Sequence, residues 1–258
     1  ATALLSKSVD FATTGISEVI AATARNQPLV VVANHYKGLA GSLVLAKPVA
    51  DRLGVKPDAP LAQRLKALDN VLLASVSKIS SLTIAYKGAA NANGAEPRFS
   101  YMAVGAMGAA LESGAVEGVV VTAPFWALQV LKGTGVLWLS PPRGDLPAEF
   151  MPTTAAVAAT TRALAESDPA LVRKVAAVFD DLSAAFVQRP AEVKAAIARL
   201  YPELDARTLD LVFEMESKSF AATMLTPADV AHDIRHMKLS GMDLGPIDQV
   251  DPASVLFK

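Results

Sequence analysis

The 258-residue chain contains no cysteine, which removes disulfides, thiolate metal sites and cysteine nucleophiles and leaves the redox compartment open. An excess of charge of one sign is lacking too. Lysine and arginine number 24 against 25 aspartates and glutamates, the net charge is -1, and no block of like charges offers a footprint for nucleic acid or an anionic membrane surface. No apolar run approaches the ~18 residues expected of a membrane span. The first residues lack a charged segment followed by an apolar one, so any signal peptide is expected to lie outside this sequence. What is present is a core: 52% of residues are hydrophobic and 19% charged, the balance of a globular chain long enough for one large domain or two modest ones.

One short pattern occurs twice. Leu4-Leu5-Ser6-Lys7-Ser8-Val9-Asp10-Phe11 is echoed by Leu111-Glu112-Ser113-Gly114-Ala115-Val116-Glu117-Gly118, each readable as a helix end, a tight turn and a short strand. The first copy continues into Thr13-Thr14-Gly15-Ile16-Ser17 and the second into Val121-Thr122-Ala123-Pro124-Phe125-Trp126. Ligands in open α/β sheets bind outside the carboxyl ends of strands, so two such ends predict two lobes facing one ligand, with Asp10 and Glu117 at equivalent positions in each.

Periodicity predicts helices over 17–26, 61–68, about 81–90 and 104–112, and strands at 29–33, 42–47, 71–74, 99–102 and 135–140, with Asn34 to Gly38 as a polar loop. Strands alternating with helices argue for parallel sheets. Pro141-Pro142-Arg143-Gly144-Asp145-Leu146-Pro147 marks a loop or linker, beyond which almost everything reads as helical. Asp168-Pro169 and Thr226-Pro227 each place an N-cap residue before proline at the first helical position, and Asp229 follows Thr226 at capping-box spacing.

Enzyme signatures are incomplete. Ser75-Val76-Ser77-Lys78 fits Ser-x-x-Lys without the Ser-Asp-Asn and Lys-Thr-Gly elements that accompany it in penicillin-recognising acyl enzymes. His232 and His236 lie four apart without a His-Glu-x-x-His arrangement, as on a capped, solvent-facing helix. Gly133-Thr134-Gly135 lacks the third glycine of a dinucleotide fingerprint. No catalytic residue, metal site or cofactor is therefore assigned.

Leu4 to Lys47, the Ser-rich turn from Ala74 to Ser81, the stretch Tyr101 to Trp126, and Thr226-Pro227-Ala228-Asp229-Val230 with Met237 and Gly241 together resemble the nitrate/sulfonate/taurine group of ABC-transporter periplasmic substrate-binding proteins. The resemblance implies an α/β fold of the type II periplasmic-binding class, with two α/β lobes joined by two crossing strands near Ser42 to Lys47 and Gly135 to Ser140, and a helical C-terminal part. Lobe I would combine 1–47 with 141–258, lobe II would be 48–140, and a strand, helix and strand that precede Ala1 in the family would be lacking. It also implies a non-enzymatic, periplasmic protein, monomeric when complete, whose partners are a small-molecule solute and a membrane permease. Pyrimidine-synthesising enzymes of the same fold family depend on a cysteine-rich motif, which is absent here. A cytoplasmic effector-binding sensor module of the same fold is the alternative.

Capture of a solute requires polar donors at the cleft. Thr13, Thr14 and Ser17, and Ser75, Ser77 and Ser80, place hydroxyls at strand-to-helix junctions, where unpaired N–H groups and the helix dipole favour an anion; the same hydroxyls would serve as ordinary N-caps. Phe125 and Trp126 would cover an organic group or pack in the core. Asn34 and Tyr36, with His35, would line the cleft or simply form a polar loop. These residues predict a small, anionic, organosulfonate-like solute, with taurine, nitrate, bicarbonate and pyrimidines left open.

Overall fold

In the computed structural model, which describes residues 1–220 and 224–258, two separate sheets carry the fold. The chain opens with α1 (Thr2–Leu5), β1 (Phe11–Thr14), α2 (Ile16–Ala24) and β2 (Leu29–Lys37). It continues through β3 (Ser42–Ala46), α3 (Lys47–Leu53), α4 (Leu61–Lys66), β4 (Leu72–Ser75), α5 (Ser81–Ala92), β5 (Arg98–Tyr101), α6 (Val104–Glu112), β6 (Gly118–Val121), α7 (Phe125–Lys132) and β7 (Gly135–Leu139). After β8 (Thr154–Thr161) come α8 (Arg162–Ser167), α9 (Pro169–Gln188), α10 (Pro190–Leu200), α11 (Ala206–Glu216) and α12 (Pro227–Leu239). Among the described residues no helix is long and apolar enough to cross a membrane.

The first sheet has the order β1-β8-β2 and is antiparallel; the second has the order β5-β4-β6-β3-β7, parallel across β5, β4 and β6 and antiparallel on both sides of β3. The parallel pairing expected from alternating strands and helices thus holds in only part of one sheet. Alternation says nothing about the direction in which a chain re-enters a sheet, and β8, returning from the second sheet, runs against both of its neighbours. The Ser42 to Lys47 and Gly135 to Ser140 segments, expected to cross between lobes, lie side by side as β3 and β7. The chain passes between the sheets just outside them, at 38–41 and 140–153.

β8 stands apart from the expectation that almost everything past Pro147 is helical. Its sequence, TAAVAATT, is rich in the best helix former, yet small side chains suit a central strand covered on both faces. Residues of β2 and β8 alternate between two cores. Leu29, Val31, Val157 and Ala159 face α2 and α12, while Val30, Val32 and Ala158 face Ala165 and Val172 of α8 and α9. The second sheet repeats this arrangement. Leu43, Leu45, Leu73 and Val120 pack on one side with Tyr86 and Trp138, and Val44, Ala74, Val119 and Val121 on the other with Met107 and Trp126.

The polar stretch 34–37 is strand, not loop. Register shifts between Val31 and Ala33 and again at Asn34–Tyr36–Lys37 bend β2, and there Asn34 Oδ1 accepts from Tyr36 N at 3.2 Å and Thr154 Oγ1 at 2.6 Å. The duplicated pattern does mark equivalent turns. Lys7 and Gly114 hold matching positions with φ of 57° and 75°, and Asp10 and Glu117 each precede the first residue of a strand, β1 in one sheet and β6 in the other.

The two passages between the sheets are tied together. Gly38 N donates to Thr153 O at 2.8 Å, Ser42 Oγ to Ser140 Oγ at 3.1 Å, and Tyr86 Oη reaches Gly41 O and Leu139 O at 3.4 and 3.3 Å. Gly41 has φ +108°, and a Cβ there would stand 2.8 Å from the Val121 carbonyl oxygen. Gly41→Ala is therefore expected to cost about 1–3 kcal/mol in urea denaturation; an unchanged midpoint would show that the passage is free to relax.

Candidate functional site

The helix α11 starts on Asp205, whose Oδ1 accepts from Thr208 N at 2.7 Å, and carries Leu209, Val212 and Glu216 at helical spacing, Val212 packing in the core cluster that holds Trp126 and Ala127 of α7. Glu216 ends this apolar stripe as a carboxylate that is 2% exposed. It accepts from Trp126 Nε1 at 2.6 Å through Oε1 and from Tyr36 Oη at 3.3 Å through Oε2. Burial pushes the Glu216 carboxyl above its ordinary range, and the two donors partly offset that. Tyr36 is held strongly in its neutral form by burial and then by the Glu216 charge. A strand of the first sheet, a helix of the second and a C-terminal helix thus meet at one buried carboxylate.

Beside this cluster lies an open cavity of about 550 Å³, walled by residues that include Phe125, Phe186, Phe213 and Phe220. Phe186 stacks on Phe220 at 4.5 Å, and Phe220 meets Tyr36 edge-on at 5.0 Å. A second cavity of about 380 Å³ shares Phe186 and Phe220 with the first and reaches His35. His35 packs edge-on against Phe179 at 4.2 Å, and burial lowers its pKa to about 4.

The two hydroxyl-rich junctions meet each other. Ser17 Oγ donates to Ile79 O at 2.7 Å and lies 3.2 Å from Ser81 Oγ, so the N-termini of α2 and α5 face one another. Thr14 bonds to Glu18 one turn on, and Thr13 is exposed. Thr83 Oγ1 joins Ser75 Oγ and Ser77 O, both at 2.7 Å. Ser80 occupies the N-cap position of α5 without a side-chain capping bond. The Ser77 hydroxyl is shielded from solvent and has no protein partner.

Of the residues singled out in the sequence, Tyr36 and Trp126 therefore converge through Glu216, while Ser17 joins the turn that carries Ser75, Ser77 and Ser80. Phe125 is 39% exposed and lines the larger cavity, and Asn34 ties β2 to β8. Trp126 is fully buried, its indole held by Glu216. Glu216 is not among those residues, although an acid at an apolar position of the stripe 209–212–216 is the kind of signal that marks a buried polar group. The solvent-facing reading of α12 is corrected: His236 is 3% exposed because α12 packs between α5 and α2, and His232 Nε2 lies 2.9 Å from Met151 O. No group of His, Cys, Asp and Glu among the described residues could hold a metal ion.

The same architecture occurs in known structures. The aliphatic sulphonate binding protein SsuA from Escherichia coli is 19% identical, with 99% of this chain covering 82% of it at a TM-score of 0.72. The alkanesulfonate-binding protein SsuA from Xanthomonas axonopodis pv. citri is 15% identical, with coverages of 99% and 81% and a TM-score of 0.73. The periplasmic nitrate-binding protein NrtA from Synechocystis PCC 6803 is 16% identical, with coverages of 98% and 73% and a TM-score of 0.65. No curated protein sequence matches. These structures bear out the expected α/β fold of the periplasmic-binding class, and the profile of the NMT1-like family matches residues 2–201. The chain belongs to the NMT1-like family.

Proposed function

We propose that the chain is the solute-binding component of an ABC importer, capturing a small organic solute on the periplasmic side and presenting it, chemically unchanged, to a membrane permease. One observation carries this reading: Tyr36, Trp126 and Glu216, from distant stretches of sequence, meet at a single buried point beside a ligand-sized cavity. The fold shared with sulphonate- and nitrate-binding proteins supports it. The lobes are taken to follow the two sheets, so that the boundaries fall at the passages 38–41 and 140–153. A solute touching both lobes would favour the closed arrangement by its differential affinity for it. Small-angle scattering with and without saturating solute tests this, with calorimetry of alkylsulfonates, taurine, nitrate, bicarbonate, pyrimidines and organic amines as the search. Binding with a smaller radius of gyration is the expected result; binding that leaves the radius unchanged sinks the importer reading.

The shielded, unpartnered Ser77 hydroxyl beside the facing helix N-termini favours a second reading, an anionic, organosulfonate-like solute held at that junction. On this reading Ser77→Ala removes a donor to a buried anion, worth on the order of 1.5–3 kcal/mol, and weakens sulfonate binding roughly ten- to a hundredfold. The exposed Lys174→Ala change should leave it unaltered.

A further inference from the structure

Charge and aromaticity around the larger cavity select a class of solute. Its walls are drawn from α7, α9, α10 and α11, and its volume of about 550 Å³ falls within the ~300–1,000 Å³ of small-molecule sites. Five aromatic rings line it, those of Phe125, Phe186, Tyr201, Phe213 and Phe220. Among the described residues the ionisable side chains of the lining are the Glu203 carboxylate and the Tyr201 phenol, while Lys218, on the other side of the lining residue Ser217, is exposed to solvent. Glu203 lines the cavity directly and is exposed there to solvent, and Glu216 stands behind the wall, next in sequence to the lining residue Ser217 and hydrogen-bonded to Tyr36 and Trp126, which adjoin Phe220 and Phe125. Among the described residues no lysine, arginine or histidine lines this cavity. In the adjoining one the sole cationic candidate, His35, is kept neutral at physiological pH by burial, with a pKa of about 4. Lys194, on the helix that supplies Ile197 to both walls, is already paired with Asp210.

An oxyanion placed here would meet the Glu203 carboxylate and apolar, aromatic walls, with Glu216 buried behind them and no cationic side chain in the lining to offset its desolvation. A cation on an apolar body meets the opposite conditions: aromatic walls of the kind that support cation–π contact, the Glu203 carboxylate in the lining, and apolar walls for the rest of the molecule. We infer that this cavity is the recognition site for an organic ammonium solute with an apolar body. The inference rests on the importer reading for its biological role and fixes the charge of the cargo. It differs from the anionic solute that the serine-rich junction suggests.

A charge-varied set with one common body tests it: phenethylammonium, 2-phenylethanol and 2-phenylethanesulfonate, titrated calorimetrically into the full chain at low and high salt. The ammonium compound is expected to bind at least tenfold more tightly than the alcohol, with the sulfonate weakest and the preference shrinking as salt rises. Phe125→Ala should weaken the ammonium compound and the alcohol together. Glu203→Gln, at an exposed position that does not endanger folding, should reduce the ammonium preference severalfold, and Glu216→Gln, whose amide oxygen keeps an acceptor for Trp126 Nε1 while its NH2 turns a donor toward Tyr36 Oη, should reduce it further. Equal affinities, a sulfonate preference, no binding by any of the three, or a preference that survives both glutamine variants overturns the inference. Sulfonate-driven compaction in scattering would leave the importer reading standing while this inference falls. Ammonium binding without compaction would do the reverse.

Discussion

Replacing Arg64 by alanine is expected to lower the unfolding free energy by about 3–5 kcal/mol, the cost of stranding a buried charge. Arg64 is 7% exposed although it lies on the short helix α4. Its Nε donates to Ala59 O at 2.9 Å, Nη1 to Trp138 O at 2.8 Å and Nη2 to Asp145 Oδ1 at 2.7 Å, and Trp138 Nε1 returns a bond to Arg64 O at 3.0 Å. Asp145 is equally buried, and its Oδ2 receives Ser140 N at 3.1 Å. Arg143, 3.4 Å away, is largely solvated and is a poor substitute partner. Truncating Arg64 therefore leaves a carboxylate and the Trp138 carbonyl inside the protein without their donor. The control is the paired change Arg64→Met with Asp145→Leu, which removes both charges and should recover most of the loss. Urea denaturation of the three proteins decides it. A loss below about 1 kcal/mol for the single change would mean that the pair behaves like a surface ion pair.

The second large effect depends on pH. Asp233 is fully buried; its Oδ1 accepts from Thr153 N at 2.6 Å while Oδ2 has no protein partner. Burial raises its pKa to about 7 from an ordinary 3.8, against the lowering effects of the Thr153 bond and of His232, with Asp229 adding a small raising effect. His236, on the same helix, is lowered by burial to about 4. A carboxyl whose folded pKa is raised contributes stability that is complete below its unfolded pKa and is lost as pH rises through the folded value. A histidine whose folded pKa is lowered contributes stability that is present above 6.5 and is lost as pH falls toward 4. The two therefore oppose each other between pH 4 and 6.5 and mask each other in the native chain. Asp233→Asn removes one of them. The stability of that variant relative to the native chain is expected to shift in its favour by about 4 kcal/mol between pH 4 and pH 8, from a displacement of some three pKa units. A difference that stays constant with pH would show that Asp233 is ionised throughout.

The sequence makes the elements of the second sheet legible because each is short, apolar and bounded by its own turn signals. The helix at 104–112 and the strand at 135–139 stand where periodicity places them, and both copies of the duplicated pattern form the predicted helix end, turn and strand. What stayed hidden was decided at long range. Thr154 to Thr161 becomes a strand because β1 and β2 flank it, not because of its own alanine-rich sequence. Asn34 to Lys37 stays paired with β8 through shifts of register, with Thr154 bonding to Asn34 and Tyr36. At the site, the aromatic at 126 and the phenol at 36 could be suspected from strand and helix ends. Their common partner, Glu216, lies 90 and 180 positions away, a separation that no local pattern reports.

The placement of β8 also dictates an order of events during synthesis. Among the described residues β1 and β2 do not pair with each other; β8 is the strand that pairs with both, and the bridge from Val31 to Leu256 comes later still, so both must wait, from residue 37 until residue 154 has been made, with their backbone edges open. The second sheet has no such delay, since all five of its strands come from the unbroken stretch Ser42 to Leu139. A vectorially synthesised chain, growing at about 5–20 residues per second, thus has several seconds in which the later sheet can be finished while the earlier strands remain unsatisfied. Throughout that interval residues 11–14 and 29–37 are the part of the nascent chain most open to unwanted strand pairing, and the part on which a chaperone would have most to do.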